Sequence, residues 1–272
     1  MTSLPRVDLA LAQRLDRAEA MANAAAVESR RRMQPEIGAD WTEIAGVYAM
    51  FDGPDSPITQ TFGLGLFDRF LEGEFGLIEE FFTKRGSPTF HEVSSFAAPE
   101  TMSLLSAREY SPFETSTVLV RRTSNASREE SRTITARAID EAELPTWCRV
   151  AGQGWSSESP EIGEFVARLG DIWGRARGIT CFLAEKDGEP IGSAALNIAN
   201  GIAIMAGAST IPAARRQGAQ LALLEARLRF AAEHGIDLAM VVTAPGSASQ
   251  RNAERQGFRP VYTRAKWKRA AG

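Results

Sequence analysis

Ser209-Thr210-Ile211-Pro212-Ala213-Ala214-Arg215-Arg216-Gln217-Gly218-Ala219-Gln220-Leu221 joins an apolar run to an amphipathic one. Upstream, Ile202 to Ser209 is too uniformly apolar for a half-exposed strand and reads as a buried one. Downstream, Gly218 to His234 has the helical period. Leu221, Leu224, Leu228 and Ala231 are predicted on its buried face, with Glu225, Arg229 and Glu233 as an i,i+4 ladder outside. A helix start leaves backbone N–H groups unpaired and carries partial positive charge, so the junction suits a pyrophosphate. Gly218 and Ala219 are small enough for phosphate oxygens to approach the backbone, and Arg215 and Arg216 supply counter-charge. The competing reading of the same residues is an ordinary strand-to-helix turn with solvated arginines.

Around this junction the punctuation is regular. Ile134 to Ala138 and Cys181 to Glu185 read as strands, with one or two helices between Glu141 and Gly170. Asp187-Gly188 and Asn200-Gly201 are hairpin turns on either side of Pro190 to Ile198. Gly235 ends the long helix, and Ile236 to Val242 is a continuous apolar strand of the central-sheet kind.

The first half runs through a similar order. A helix begins near Leu4 and continues toward Met33, where Pro35 and Gly38 stop it. Trp41 to Phe51 is strand-like, the turn residues Asp52 to Pro57 follow, and Ile58 to Leu66 returns as the second arm of a hairpin. Phe75, Ile78, Phe81 and Phe82 mark a helix face that ends at Gly86; Thr89 to Val93 is a strand, Pro99 to about Glu109 a short helix, and Val118 to Val120 a closing strand. The polar stretch Thr123 to Ser131 reads as a linker. Phe258-x-Pro260 follows Tyr110-x-Pro112 by 148 residues, and Gly235 follows Gly86 by 149, so the halves read as diverged copies. The expected domains are 1–126 and 127–272.

Composition sets the outer limits. The 272 residues are 44% hydrophobic and 24% charged, with 31 Lys+Arg against 34 Asp+Glu. That length accommodates two ordinary domains, and the near-neutral balance gives no global footprint for nucleic acid or an anionic membrane. No stretch approaches the ~20 apolar residues of a bilayer span, and the amino terminus lacks the core of a signal peptide. A cytoplasmic protein, monomer or homodimer, without nucleic-acid or membrane partners, is expected. Cys148 and Cys181 lack the spacing of a zinc site and read as buried apolar residues, so no metal is expected. His91 and His234 read as structural, Arg30-Arg31-Arg32 as a solvated helix end, and Trp147, Trp155 and Trp173 as core.

Arg215-x-x-Gly218-x-Gln220 resembles the Gln/Arg-x-x-Gly-x-Gly/Ala pyrophosphate signature of the GNAT acetyltransferase superfamily. The strand Ile236 to Thr243, the helix Ser247 to Gln256 and Gly257-Phe258 before Val261-Tyr262 follow in that family's order, and the similarity covers roughly Arg132 to Lys268. The resemblance implies an α/β chain of α+β type: two tandem GNAT-like domains, each a mixed, mostly antiparallel central sheet flanked by helices. It also implies acetyl-CoA as acyl-donor cosubstrate and direct transfer to a primary amine of a small molecule or peptide. Ser209, Thr210 and Ile211 would then lie beside the pantetheine, and Arg215, Arg216, Gln217, Gly218, Ala219, Gln220 and Leu221 around the pyrophosphate, with Asn252 as a further contact.

The departures concern catalysis. Gln220 stands where the family has Gly or Ala, and Ala253 where many members carry the tyrosine that protonates the leaving thiolate. Asn252 and Tyr262 are candidate substitutes, and the strand Ile202 to Ser209 lacks the glutamate that often acts as base, leaving a water relay from Glu158, Glu161 or another residue of the acceptor-side helices. The corresponding junction of the first half, Leu64 to Glu74, lacks the signature and carries acids, so that half is expected to bind no CoA. A CoA-binding or partner-binding module without transfer activity, or an enzyme using another acyl group, are the alternatives.

Overall fold

A computed structural model describes residues 4–68, 72–125, 133–157 and 159–269. Its contacts divide the chain into two compact units, Met1–Val120 with Val241–Gly272, and Arg121–Met240. The expected boundary at 126/127 lies outside the described residues, as does most of the expected linker. The division falls slightly earlier, and the chain from Val241 onward groups with the first half.

In the first unit, α1 (Leu9–Met33) starts at Asp8, whose carboxylate accepts from the Leu11 N–H. The strands are β1 (Asp40–Ile44), β2 (Val47–Phe51), β3 (Gln60–Phe62), β4 (Phe90–Ser94), β5 (Tyr110–Arg122) and β11 (Arg259–Arg269), in the order β1-β2-β3-β4-β11-β5. All pair antiparallel except β3 with β4. The run Trp41 to Phe51 is itself a hairpin, because Ala45 and Gly46 both take positive φ and reverse the chain in two residues. The predicted return arm is β3, shorter than Ile58 to Leu66, and β5 extends well before Val118. Helices α2 (Glu72–Thr83) and α3 (Pro99–Ala107) bury Phe75, Ile78, Phe82 and Leu105 with Val47, Ala49 and Phe51 of β2. The alternate β2 residue Tyr48 meets Arg17 of α1, so α1 covers the other face.

In the second unit the strands are β6 (Thr135–Ala138), β7 (Ile179–Lys186), β8 (Glu189–Ala199), β9 (Ile202–Thr210) and the start of β10 (Leu238–Thr243), neighbours in that order. Pairing is antiparallel except between β9 and β10. Asp187-Gly188 and Asn200-Gly201 adopt the positive φ that their two-residue hairpins require. Helices α4 (Leu144–Trp155) and α5 (Pro160–Trp173) pair with each other, and α4 packs on Cys181 and Leu183 of β7. Phe182, between them in sequence, meets Phe230 of α6 (Ala219–Glu233) on the opposite face. This unit is therefore a helix/sheet/helix sandwich. Helix α7 (Ala248–Arg255), capped by Ser247, and β11 belong to the first unit.

Several charged residues are more deeply placed than their sequence context suggests. Arg30 is buried in an ion pair with Asp52, so Arg30-Arg31-Arg32 is not simply a solvated end. Glu225 is buried against Arg121 rather than laddered outside α6. The buried face of α6 carries Ala219, Leu223, Ala226, Leu228 and Ala231, while Leu221 is exposed. Small residues at 219, 226 and 231 let the helix approach the sheet, which rotates the expected stripe. His91 is buried, its Nδ1 beside the Thr61 hydroxyl at 2.9 Å, and burial lowers its pKa to about 3. Trp147 is core, its indole N–H donating to the Ala194 carbonyl, whereas Trp155 and Trp173 are half-buried. No described helix is long and apolar enough to cross a membrane.

Two outcomes follow from this packing. Leu223→Ala is expected to cost about 3 kcal/mol in denaturant unfolding, and Leu221→Ala less than about 0.5 kcal/mol; equal losses would return the buried face to its predicted position. Burial pushes the Cys148 thiol up to about 11, with Asp171 adding to it, and burial pushes Cys181 up to about 12. Both stay protonated at neutral pH, so a thiol-reactive chromophore should titrate neither in the native protein and both in denaturant.

Candidate functional site

The β9–α6 junction stands in the second unit as a short, fastened turn. After Thr210, Ile211 leads into a single 3-10 turn, Pro212–Ala214, and the backbone of Arg216 is left-handed at φ 63°. Gly218 follows with φ 100° and ψ 0°, a region closed to most L side chains, which explains glycine there. A Cβ built on Gly218 meets nothing within 4 Å, so the side of the turn it faces is open. The first bond of α6 runs from the Ala222 N–H to the Gly218 carbonyl at 3.0 Å. The N–H groups of Gly218, Ala219, Gln220 and Leu221 precede it and have no partner within the helix.

Each polar side chain of the turn has a definite position. Arg215 donates to the Gly154 carbonyl at 3.0 Å and to the Ser157 hydroxyl at 2.6 Å, fastening the turn to the end of α4. Its role is thus a clamp, whereas Arg216 beside it is exposed. Gln217 accepts from Lys186 and donates to the Ala213 carbonyl. Gln220 donates to the Thr210 hydroxyl at 3.0 Å, so its added bulk over Gly or Ala is folded back toward β9. Ala219 is buried beneath the turn.

Strand β9 supplies the second half of the geometry. It pairs with β10 only through Ala203 and Ile204, so from Met205 to Thr210 that edge has no strand partner within the unit. On its other edge the register with β8 shifts between Ser193/Ser209 and Ala195/Ala206, a bulge containing Gly207 at φ 59°. Ser209 shares a 3.0 Å hydrogen bond with Ser193 and lies against Gly154, where a Cβ would come within 2.6 Å of the Ser209 Cβ. Glycine at 154 therefore permits α4 to sit on the end of β9.

The periodicity passes over Arg227, the least expected residue here. It is buried on α6 and donates to the Leu223, Ala195 and Ala206 carbonyls, joining helix, β8 and the bulge of β9. Burial lowers its pKa to about 10. An arginine between Ala226 and Leu228, inside an apolar stripe, is the sequence signal that marks it.

The candidate acids and bases lie elsewhere. Asn252 is exposed on α7 and accepts from Arg255; Ala253 follows it. Tyr262 is buried on β11, where its hydroxyl donates to Asp16 at 2.9 Å and accepts from Arg264. Burial pushes that hydroxyl well above its ordinary value. Its proton is committed to Asp16, which argues against a role in protonating a leaving group. Glu161 is exposed in the first turn of α5, where its own backbone N–H and Ser159 hold its carboxyl below the usual range and make it a weaker base. Glu158 lies outside the described residues. No group of His, Cys, Asp and Glu among the described residues is arranged to hold a metal ion.

With this geometry in place, the likenesses to known proteins are specific. Residues 138–258 match the Acetyltransferase (GNAT) family. No protein of curated function matches the sequence. A GCN5-related N-acetyltransferase from Kribbella flavida shares the fold with a TM-score of 0.66 at 19% identity, covering 93% of this chain and 96% of that one. A tandem GNAT protein from the clavulanic acid biosynthesis pathway gives 0.63 at 12% identity, over 97% and 95%. A GCN5-related N-acetyltransferase from Sphaerobacter thermophilus gives 0.56 at 14%, over 98% and 96%. Over residues 138–258 the chain is similar in sequence to the GNAT acetyltransferase family, and as a whole it shares a mixed α/β fold with these solved proteins.

Proposed function

We propose that this protein is an acetyl-CoA-dependent N-acetyltransferase whose second half holds the cosubstrate. The observation that carries the reading is the turn from Arg216 to Leu221, with Gly218 open to solvent and successive N–H groups at the start of α6. Those N–H groups and Arg216 would receive the pyrophosphate, and the unpaired edge of β9 at Ser209, Thr210 and Ile211 would run beside the pantetheine. The thioester supplies the acetyl group; the acceptor amine attacks it directly, and the sulfur leaves as CoA thiol. Arg215 and Gln220, both bonded at Thr210 or the end of α4, hold the turn in its receiving shape beforehand, which reduces the ordering cost of binding. Positioning and a polarised thioester then account for the acceleration without a named base among the described residues.

The chain reads as a tandem of two related copies. The order β1-β2-β3-α2-β4-α3-β5 parallels β7-β8-β9-α6-β10-α7-β11, and in each the single parallel pair, β3 with β4 or β9 with β10, encloses the central helix. In the first copy that helix is α2, with Asp68 before it and Glu72 and Glu74 in its first turn, where the second has Arg215 and Arg216 before α6. This copy binds no CoA and serves in support. Arg69 to Leu71 of that junction lie outside the described residues.

Calorimetry of the full chain should give one acetyl-CoA site, and Gly218→Glu should remove it by placing bulk and negative charge at the turn. Unchanged affinity in that variant, or a second equivalent site per chain, would overturn the assignment. Release of CoA thiol with a panel of amines, amino acids and peptides separates an enzyme from a binding module.

A further inference from the structure

Folding alone gives no reason for a cation at position 227. Arg227 lies in the apolar stripe of α6, 3% exposed, and makes no ion pair among the described residues. A buried guanidinium without a counter-charge costs stability, and an aliphatic residue would continue the stripe.

What the guanidinium gains is a particular set of carbonyls. Its Nε donates to Leu223 at 3.1 Å, one turn back on α6, and Nη1 is shared between Ala195 of β8 at 3.0 Å and Ala206 of β9 at 3.3 Å. Ala195 and Ala206 are register partners, the last pair matched before the strands fall out of step. Beyond them Gly207 and Ala208 together oppose Ala194, and pairing resumes at Ser193 with Ser209. One nitrogen therefore ties both strands at the pair where the extra residue begins.

The place of that extra residue decides what the free edge of β9 offers. Successive residues of a strand turn their backbone groups to opposite edges, so one inserted residue changes which groups face outward. From Met205 to Thr210 the edge away from β8 has no strand partner within the unit, and Ala206 and Gly207 are exposed. Ala206, Gly207 and Ala208 bring almost no side-chain packing, and register is weakly specified in such a stretch. A shift of the bulge by one place would part Ser209 from Ser193, with which it shares a hydrogen bond.

We propose that Arg227 is a positioning residue: by tying Ala195 to Ala206 it fixes the bulge and so sets which backbone groups of β9 meet the pantetheine arm of acetyl-CoA. This rests on the CoA reading of the second half. The turn at Gly218 is held separately, by Arg215 and Gln220, so Arg227 governs the arm and not the pyrophosphate.

Calorimetry of the full chain tests this with two probes, acetyl-CoA and adenosine 3′-phosphate 5′-diphosphate, which has the pyrophosphate but no arm. The wild type should bind acetyl-CoA at least about tenfold more tightly than the armless probe. Arg227→Met should erase most of that difference while binding the armless probe within about twofold of wild type. Its melting temperature should hold, because the substitution removes a buried cation that has no counter-charge. Arg227→Lys, which keeps a donor for one carbonyl, should recover at least about threefold of the lost affinity. In the unliganded Arg227→Met chain, amide exchange over residues 205–210 should quicken at least about tenfold while that of α6 holds. Equal losses for the two probes mark a merely structural role and overturn the proposal, as do wild-type acetyl-CoA affinity or wild-type exchange in Arg227→Met. If that variant does not fold, Arg227→Lys decides by the same comparison, with a smaller but still selective loss expected. A wild type that binds both probes alike, or neither, fails the CoA reading itself and takes this inference with it; the variant outcomes leave that reading standing.

Discussion

Strand β11 is hydrogen-bonded on both edges, to β5 along nearly its whole length and to β4 from Arg264 to Lys268. A strand paired on two sides cannot slip by one residue without moving every side chain to the opposite face, so its register is fixed. That register sends Arg264 into the interior, where it meets Asp16 and Glu19 of α1, and carries Lys266 to the level of Glu92 and Glu114. Removing one member of such a buried group would strand the others in a medium that solvates charge poorly. The burial of Arg264 with its acidic partners and the burial of Tyr262 both descend from where this strand runs. Its placement also explains why the chain from Val241 onward groups with the first unit: β11 lies between β4 and β5 of that unit's sheet.

In the second unit a different cation has the organising place. Arg227 spends its hydrogen bonds on three carbonyls and has no carboxylate partner among its described hydrogen bonds. It is held by peptide dipoles where the register of β8 and β9 changes. Below it the small residues of α6 allow close approach to the sheet; above it, the turn stays open on the side that Gly218 faces. Rigid support and an open rim are what a preorganised ligand site requires.

The elements legible in the sequence are those set by local chemistry. Asp187-Gly188 and Asn200-Gly201 form their hairpins because few residues tolerate two successive positive φ values, and the face Phe75, Ile78, Phe81, Phe82 is buried as its spacing implies. The Gly218 turn belongs to the same class. What escaped was charge whose partner is remote: Arg30 meets Asp52, Arg121 meets Glu225 and Arg264 meets Glu19, pairs separated by 22, 104 and 245 residues. Near Glu225 and Arg30 the sequence looks like any solvated helix surface, so periodicity places both outside. The face of α6 was misread for a related reason, since volume matched to the facing strands, and not hydrophobicity alone, selects which residues turn inward.

The sequence by itself therefore determined most of the order of helices and strands, the mixed α/β class and the glycine turn at Gly218 with its family resemblance, because each rests on contacts within a few residues. Only the tertiary structure decided that Arg215 clamps while Arg216 is exposed, that Tyr262 is sealed against Asp16, and that carboxylates from α1, β4 and β5 surround one cavity. Those outcomes depend on distant segments arriving at the same place, and burial then sets the charge and hydrogen bonding of each group according to neighbours that no local stretch contains.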